Sequence, residues 1–125
     1  MVAEANGFEI FGQDLRTLFE PSPNNLLNDN IINYYMGLIA DRNKKENFRS
    51  VLPFSQHFFT NLNEYGWDKV KRWTKRIDLF SFSLILIPIH WDLKGQGHWC
   101  LAAVDMDERE ILYFDSCGKD DRVSF

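Results

Sequence analysis

Two short segments joined by a polar stretch constrain this chain more than anything else in it. They are His98-Trp99-Cys100-Leu101, running on through an apolar stretch to Asp105, and Glu110-Ile111-Leu112-Tyr113-Phe114-Asp115-Ser116. The first ends apolar, and the second is rich in the β-branched and aromatic types that suit a pleated surface. Met106-Asp107-Glu108-Arg109 between them is polar enough to turn, so the pair reads as a β-hairpin. Pairing Asp105 with Glu108, or with Glu110 around a longer turn, sets Asp115 opposite His98 or one diagonal step away on the same face. An acid there would hold the imidazole tautomer and steady its cation, the base and orienter roles of a nucleophile–base–orienter triad. No suitable nucleophile follows before Phe125.

The 125 residues suit one domain, and 45% hydrophobic with 15% aromatic content suffices for a core. The longest apolar run, Leu84 to Ile89, includes Pro88 and is strand-sized, so no membrane span is expected. Met1 to Asn6 lack the basic and apolar regions of a secretory signal. An intracellular protein with Cys100 and Cys117 as reduced thiols is therefore expected. The net charge of −4 and pI of about 5.3 argue against nucleic acid as a partner. One local exception is the basic segment Lys69 to Arg76 around Trp73. It reads as a solvated helical face with Trp73 turned to the core; a docking patch for an acidic protein is the sharper alternative, with nucleic acid or a nuclear-import signal third.

Nothing divides the chain: there is no repeat, linker or low-complexity segment. Gln13 to Glu20 reads as a short helix, stopped by the breaker-rich Pro21 to Asn25. Asn28 is a candidate N-cap for a helix to about Arg42, with Leu27, Ile31, Tyr35, Leu38 and Ile39 on its buried face. Val51 to Phe54 is extended. Ser55 is expected to cap a second helix closing near Gly66, and Asp68 to Lys75 forms a third helical piece. Phe82 to Ile89 reads as a central strand buried on both faces, ahead of the hairpin. Helices first and antiparallel strands after give an α+β order, with an open sheet edge beyond the third strand.

From residue 13 to 118 the chain also resembles the SENP/Ulp family of SUMO-specific cysteine proteases. The resemblance runs through Leu27-Asn28-Asp29 with Ile32-Asn33-Tyr34-Tyr35-Met36, then Phe58-Phe59-Thr60, Val70-Lys71-Arg72-Trp73-Thr74 and Ile87-Pro88-Ile89-His90. It ends on His98-Trp99-Cys100-Leu101-Ala102 and Tyr113-Phe114-Asp115-Ser116. It implies a papain-like α+β fold and cleavage after the Gly-Gly of SUMO, in precursors or in lysine conjugates. By that resemblance His98 is the general base, Asp115 its orienting partner, and Trp99 a wall of the tunnel that clamps the Gly-Gly tail. Asp29 and Arg72 are substrate-contacting candidates. SUMO or another ubiquitin-like modifier such as NEDD8 is the implied partner, with no cofactor, no metal and a nuclear or nuclear-envelope location. Two departures stand out. Leu26 occupies the place of a tryptophan before Leu-Asn-Asp, which makes the second clamp wall aliphatic. The family's catalytic cysteine, in a downstream Gln…Asp-Cys-Gly region, is not reached before Phe125. Residues 1–125 are therefore expected to be the N-terminal half of a catalytic domain, inactive alone.

Other residues compete for these roles. His90 precedes Trp91 and a glycine-containing loop but has no acid expected across from it, and His57 reads as structural. Cys117 would put the acid between thiol and base, with no base arranged to activate it. A zinc site from His98, Cys100 and Cys117 lacks paired ligand spacing. Two function classes follow: a protease domain whose missing half supplies the thiol, or a non-catalytic module that holds a ubiquitin-like partner through Trp99 and the basic segment.

Overall fold

The computed structural model describes residues 1–20, 26–93, 96–118 and 121–124. The expected Pro21–Asn25 loop and the glycine-containing turn at Lys94-Gly95 lie outside them. The fold is α+β. Its centre is the apolar run, which forms β4 (Leu84–Leu93), followed by β5 (Gln96–Asp105), β6 (Glu110–Phe114) and β7 (Asp121–Ser124). With β3 (Val51–Pro53) they make a five-stranded sheet in the order β3-β4-β5-β6-β7.

The sheet is mixed: the central strand and hairpin are antiparallel as expected, and β3 adds a parallel pairing that was not foreseen. β3 and β4 run parallel, Val51 against Leu84, while the other neighbours are antiparallel. The 30-residue stretch from Phe54 to Ser83 supplies the crossover that parallel pairing needs. It carries α3 (His57–Tyr65), α4 (Trp67–Val70) and a 3₁₀ turn (Leu79–Ser81). Pro88 is tolerated in β4 because β3 pairs only as far as Leu86, leaving β4 locally an edge. The edge expected beyond β6 is covered by β7, with Glu110 opposite Ser124.

A hairpin precedes the helices. β1 (Ala3–Ala5) pairs with β2 (Phe8–Ile10) around Asn6-Gly7, both at positive φ of 51° and 84°. Asn-Gly between short alternating segments is a strong two-residue hairpin signal, so this element was legible but not read. α1 (Gly12–Phe19) follows, and α2 (Asp29–Lys45) starts at the expected cap, where Asn28 Oδ1 accepts the Ile31 N–H at 3.0 Å.

The buried face of α2 differs from the expected one. Tyr35 and Leu38 are exposed, whereas Ile31, Asn33, Gly37 and Asn43 are buried. The helix is wedged between the β1–β2 hairpin and the sheet, so it buries two sides rather than one stripe. Gly37 is needed there: a Cβ would stand 2.5 Å from the Ala5 carbonyl oxygen. Asn33 and Asn43 tolerate burial because Asn33 accepts the Gln56 N–H and Asn43 donates to the Arg49 carbonyl.

One sheet face packs Val51, Leu86 and Ala103 beneath Met36, Ile39 and Ala40 of α2. The other carries Ile85, Ile87, Val104 and Ile111 toward Phe54, Phe58 and Val70. The third helical piece stops at Val70 and continues as turns rather than helix to Lys75. Trp73 is not turned into the core as expected: it stays 36% exposed, although its ring meets Phe58 edge-on at 5.6 Å between centroids.

Candidate active site

The hairpin takes the longer turn, with Asp105 paired to Glu110. Its closed end is pinned by Asp105 Oδ1, which accepts the N–H groups of Asp107 and Glu108 at 3.1 and 3.0 Å and the Arg49 guanidinium at 2.6 Å. The Glu108 N–H, and Arg49 after it, hold the Asp105 carboxyl below the usual range against the opposing effect of burial. Register is thereby fixed at one end and read out at the other. Leu101 pairs with Phe114, so Asp115 emerges one diagonal step from His98.

There His98 Nε2 lies 2.7 Å from Asp115 Oδ1, with side chains only 18% and 15% exposed. A carboxylate on Nε2 makes that nitrogen the N–H and leaves the lone pair on Nδ1. The same oxygen accepts the Cys117 N–H at 2.9 Å, and the Gly118 N–H closes a turn onto the Asp115 carbonyl. Hydrogen bonding from His98, then from the Cys117 N–H, holds the Asp115 carboxyl below its ordinary pKa. Gly118, at φ of 98°, lets this turn fold back.

That turn corrects one expectation. Instead of the acid separating thiol from base, Cys117 Sγ comes to 4.0 Å from His98 Nδ1, the ring nitrogen that does not bond the carboxylate. His98, Asp115 and Cys117 bring donor atoms within 4.8 Å of one another, so a cluster of metal-ligand types exists, built on Asp115 and not Cys100. Asp115 Oδ1 is already engaged by His98 and the Cys117 N–H. Cys100 is buried, and burial pushes its thiol up, away from the thiolate a ligand or nucleophile needs.

The next residue, Trp99, takes the opposite face, toward α2. Its Nε1–H donates to the Leu27 carbonyl at 2.7 Å, and its ring meets His90 edge-on at 4.8 Å. Gly97 leaves a bare patch beside them: a Cβ there would lie 2.8 Å from His90 Nε2 and 2.9 Å from Leu26 Cδ1. Leu26, His90 and Trp99 therefore gather around one glycine. A cleft of about 470 Å³ opens alongside, lined by Ile32, Met36, Trp99, Leu101, Phe114 and Asp115. Asp29 stands in the first turn of α2, next to this segment, and Arg72 is exposed on the turn after α4.

Sequence reasoning missed what holds the Leu26–Asn28 segment. Asp14 is 1% exposed, accepts the Phe11 N–H at 2.7 Å, and reaches Asn28 Nδ2 at 2.8 Å and Asn30 Nδ2 at 3.2 Å. Burial pushes the Asp14 carboxyl up, but these three donors outweigh it and leave its pKa below the ordinary value. Only the short spacing from Phe11 to Asp14 was open to a local pattern; the 14-residue reach to Asn28 was not.

A histidine and an aspartate joined across a hairpin in an α+β frame, with Cys117 Sγ near the second ring nitrogen, have the geometry in which an acid orients an imidazole. Residues 25–124 match the Ulp1 protease family, C-terminal catalytic domain, and the chain belongs to that family of cysteine peptidases. A sentrin-specific protease of Caenorhabditis elegans is 39% identical over 114 residues, 90% of this chain and 15% of that protein. The structure of SUMO protease Ulp1 with its catalytic cysteine oxidised to a sulfinic acid is similar at TM-score 0.65 and 32% identity, over 89% of this chain and 47% of that one. The C-terminal Ulp1 protease domain in complex with Smt3, the yeast ortholog of SUMO, matches at TM-score 0.65 and 30% identity, over 88% and 46%. The chain thus spans about half of the solved domains and about 15% of the curated relative.

Proposed function

We propose that this chain carries the base, the acid and the tail clamp of a SUMO-directed cysteine protease domain. The thiol would come from the part of that domain which the solved relatives possess and this chain does not span. His98 Nδ1 would take the thiol proton, giving a thiolate–imidazolium pair that Asp115 steadies through Nε2. The thiolate would attack the carbonyl of the modifier's last glycine, and the imidazolium would give its proton to the leaving amine. Water, deprotonated by His98, would then hydrolyse the thioester to a glycine carboxylate and the regenerated thiol. Trp99 and Leu26 would wall the tail, Gly97 would keep the passage open to residues without side chains, and Asp29 and Arg72 would meet the folded body of the modifier. The partner would be SUMO or a related ubiquitin-like protein, free or conjugated, in an intracellular and nuclear setting. No metal or cofactor enters this reading.

The observation that carries it is the 2.7 Å His98–Asp115 bond, which leaves the lone pair on Nδ1, where Cys117 Sγ stands at 4.0 Å, beside a Trp99 fixed by a backbone carbonyl. The test is release of a reporter fused after the Gly-Gly of SUMO. A form carrying the rest of the domain should release it, its His98→Ala variant should not, and the 125-residue chain should not. Release by the 125-residue chain above its own His98→Ala control would replace the missing thiol with Cys117. A complete form that binds SUMO without cutting it would leave the binding-module reading in its place.

A further inference from the structure

The Asp14 carboxylate is larger in reach than its local duty requires. α1 is an eight-residue helix, and its start is satisfied by one bond, from the Phe11 N–H to Oδ2. Oδ1 is spent outside α1, on the side-chain amides of Asn28 and Asn30. Asn28 in turn caps α2 through its own Oδ1, so the same side chain is gripped at its nitrogen by Asp14 and at its oxygen by the Ile31 N–H. Thr17 adds a second tie, donating to the Asp14 carbonyl at 2.7 Å and accepting the Asn28 N–H at 3.4 Å. The residue before Asn28 is Leu27, whose carbonyl receives the Trp99 indole, and the residue before that is Leu26. Three N–H donors converge on the two oxygens of Asp14, an arrangement that an acceptor-only carboxylate satisfies and an amide cannot. A group buried to this depth without its partners would be costly, so the bonds act together.

We propose that Asp14 is a positioning residue for the tail clamp: through Asn28 it sets the Leu27 carbonyl, and through that carbonyl the orientation of the Trp99 indole beside the base. The consequence for substrate rests on the reading of Trp99 and Leu26 as clamp walls; the coupling from Asp14 to the indole does not.

The experiment follows the Trp99 indole N–H by NMR in the 125-residue chain, assigned with Trp99→Phe. In Asp14→Asn, the amide must point its own N–H groups at a donor, so the indole resonance should move and its protection against solvent exchange should fall at least about tenfold. The exchanged pair Asp14→Asn with Asn28→Asp restores a donor–acceptor match and keeps an acceptor for the Ile31 N–H, so it should bring the resonance back. Should Asp14→Asn alone lose the folded amide spectrum, Asn28→Ser takes its place: serine still caps α2 but drops the amide donor to Asp14. The indole should then shift with the fold intact. An indole unmoved in both folded variants, or moved and not recovered by the exchange, overturns the proposal. In a form carrying the rest of the domain, Asn28→Ser should raise KM for a SUMO fusion about five- to tenfold with kcat within about twofold. If Trp99→Phe and Trp99→Ala leave KM and kcat untouched there while the indole still answers to Asp14 in the 125-residue chain, the clamp reading has failed and the coupling has not.

Discussion

Two neighbouring residues of β5 are held by opposite means. His98 is fixed within its own hairpin by an acid 17 positions away, on a turn that the Asp115–Cys117–Gly118 bonds close locally. Trp99 is fixed by a backbone carbonyl 72 positions away, and that carbonyl depends on a buried carboxylate on yet another helix. The His98–Asp115 pair is thus a product of strand register, whereas the setting of Trp99, the proposed clamp wall, is a product of the whole N-terminal layer. Register is set as soon as the hairpin closes; the clamp requires non-local packing to be complete. Chemistry and selection can therefore be damaged separately.

The largest effect should come from the local side. In a form carrying the rest of the domain, Asp115→Asn keeps the shape but favours the wrong imidazole tautomer, and kcat should fall ~10²- to 10⁴-fold. Steady-state cleavage measures it, and a silent Asp115→Asn beside a dead His90→Ala would move the base to the clamp side and collapse the contrast. Next comes stability on the non-local side. Asp14→Ala leaves three part-buried donors unmet and should cost about 2–4 kcal/mol in urea unfolding, while Asp115→Ala, which frees only His98 and the Cys117 N–H past the end of β6, should cost less. Equal losses would show that the two flanks are not separately held.

A smaller effect concerns acidity. The Asp14 and Asp105 carboxyls have folded pKa values below their unfolded ones. Their contribution is therefore fully present above the ordinary carboxylate pKa, about 4, and is lost as pH falls through the lower folded values. Unfolding free energy measured from pH 7 downward should hold to about pH 4–5 and then decline. Asp14→Asn should flatten that decline more than Asp115→Asn. The smallest effect is Leu26→Trp, which should tighten tail binding by ~0.5–1.5 kcal/mol if a second aromatic wall helps. A weaker KM would mean that the aliphatic wall already matches Trp99.

Legibility in the sequence followed the same division. His98, Asp115, the hairpin that joins them, the Asn28 cap and the apolar β4 were all readable, because each depends on spacing within one or two elements, while the choice between the two turn lengths came only with the structure. The parallel β3 was not, since a three-residue strand carries no direction in its composition. The buried face of α2 was misread because Asn33 and Asn43 look like surface residues until their partners at Gln56 and Arg49 arrive from elsewhere. The position of Cys117 was misjudged because its place relative to His98 was judged along the strand alone, whereas the register that pairs Leu101 with Phe114 carries Cys117 across to His98. Asp14 was passed over entirely: nothing local marks an acid whose reason lies at the start of the next helix.

Among the described residues, the two crowded glycines differ in the kind of inherited damage they would transmit. Any side chain at Gly37 collides with the Ala5 backbone, which cannot step aside, so such an allele would yield little folded protein. At Gly97 the collisions are with the far ends of His90 and Leu26, which can swing away. A Gly97→Ala allele should therefore give normal abundance in the cell, pass quality control, and fail only when a modifier's tail tries to enter. Immunoblotting beside a conjugate assay would separate the two. Of the two alleles, the one at Gly97 would be invisible to any screen that counts protein rather than work done.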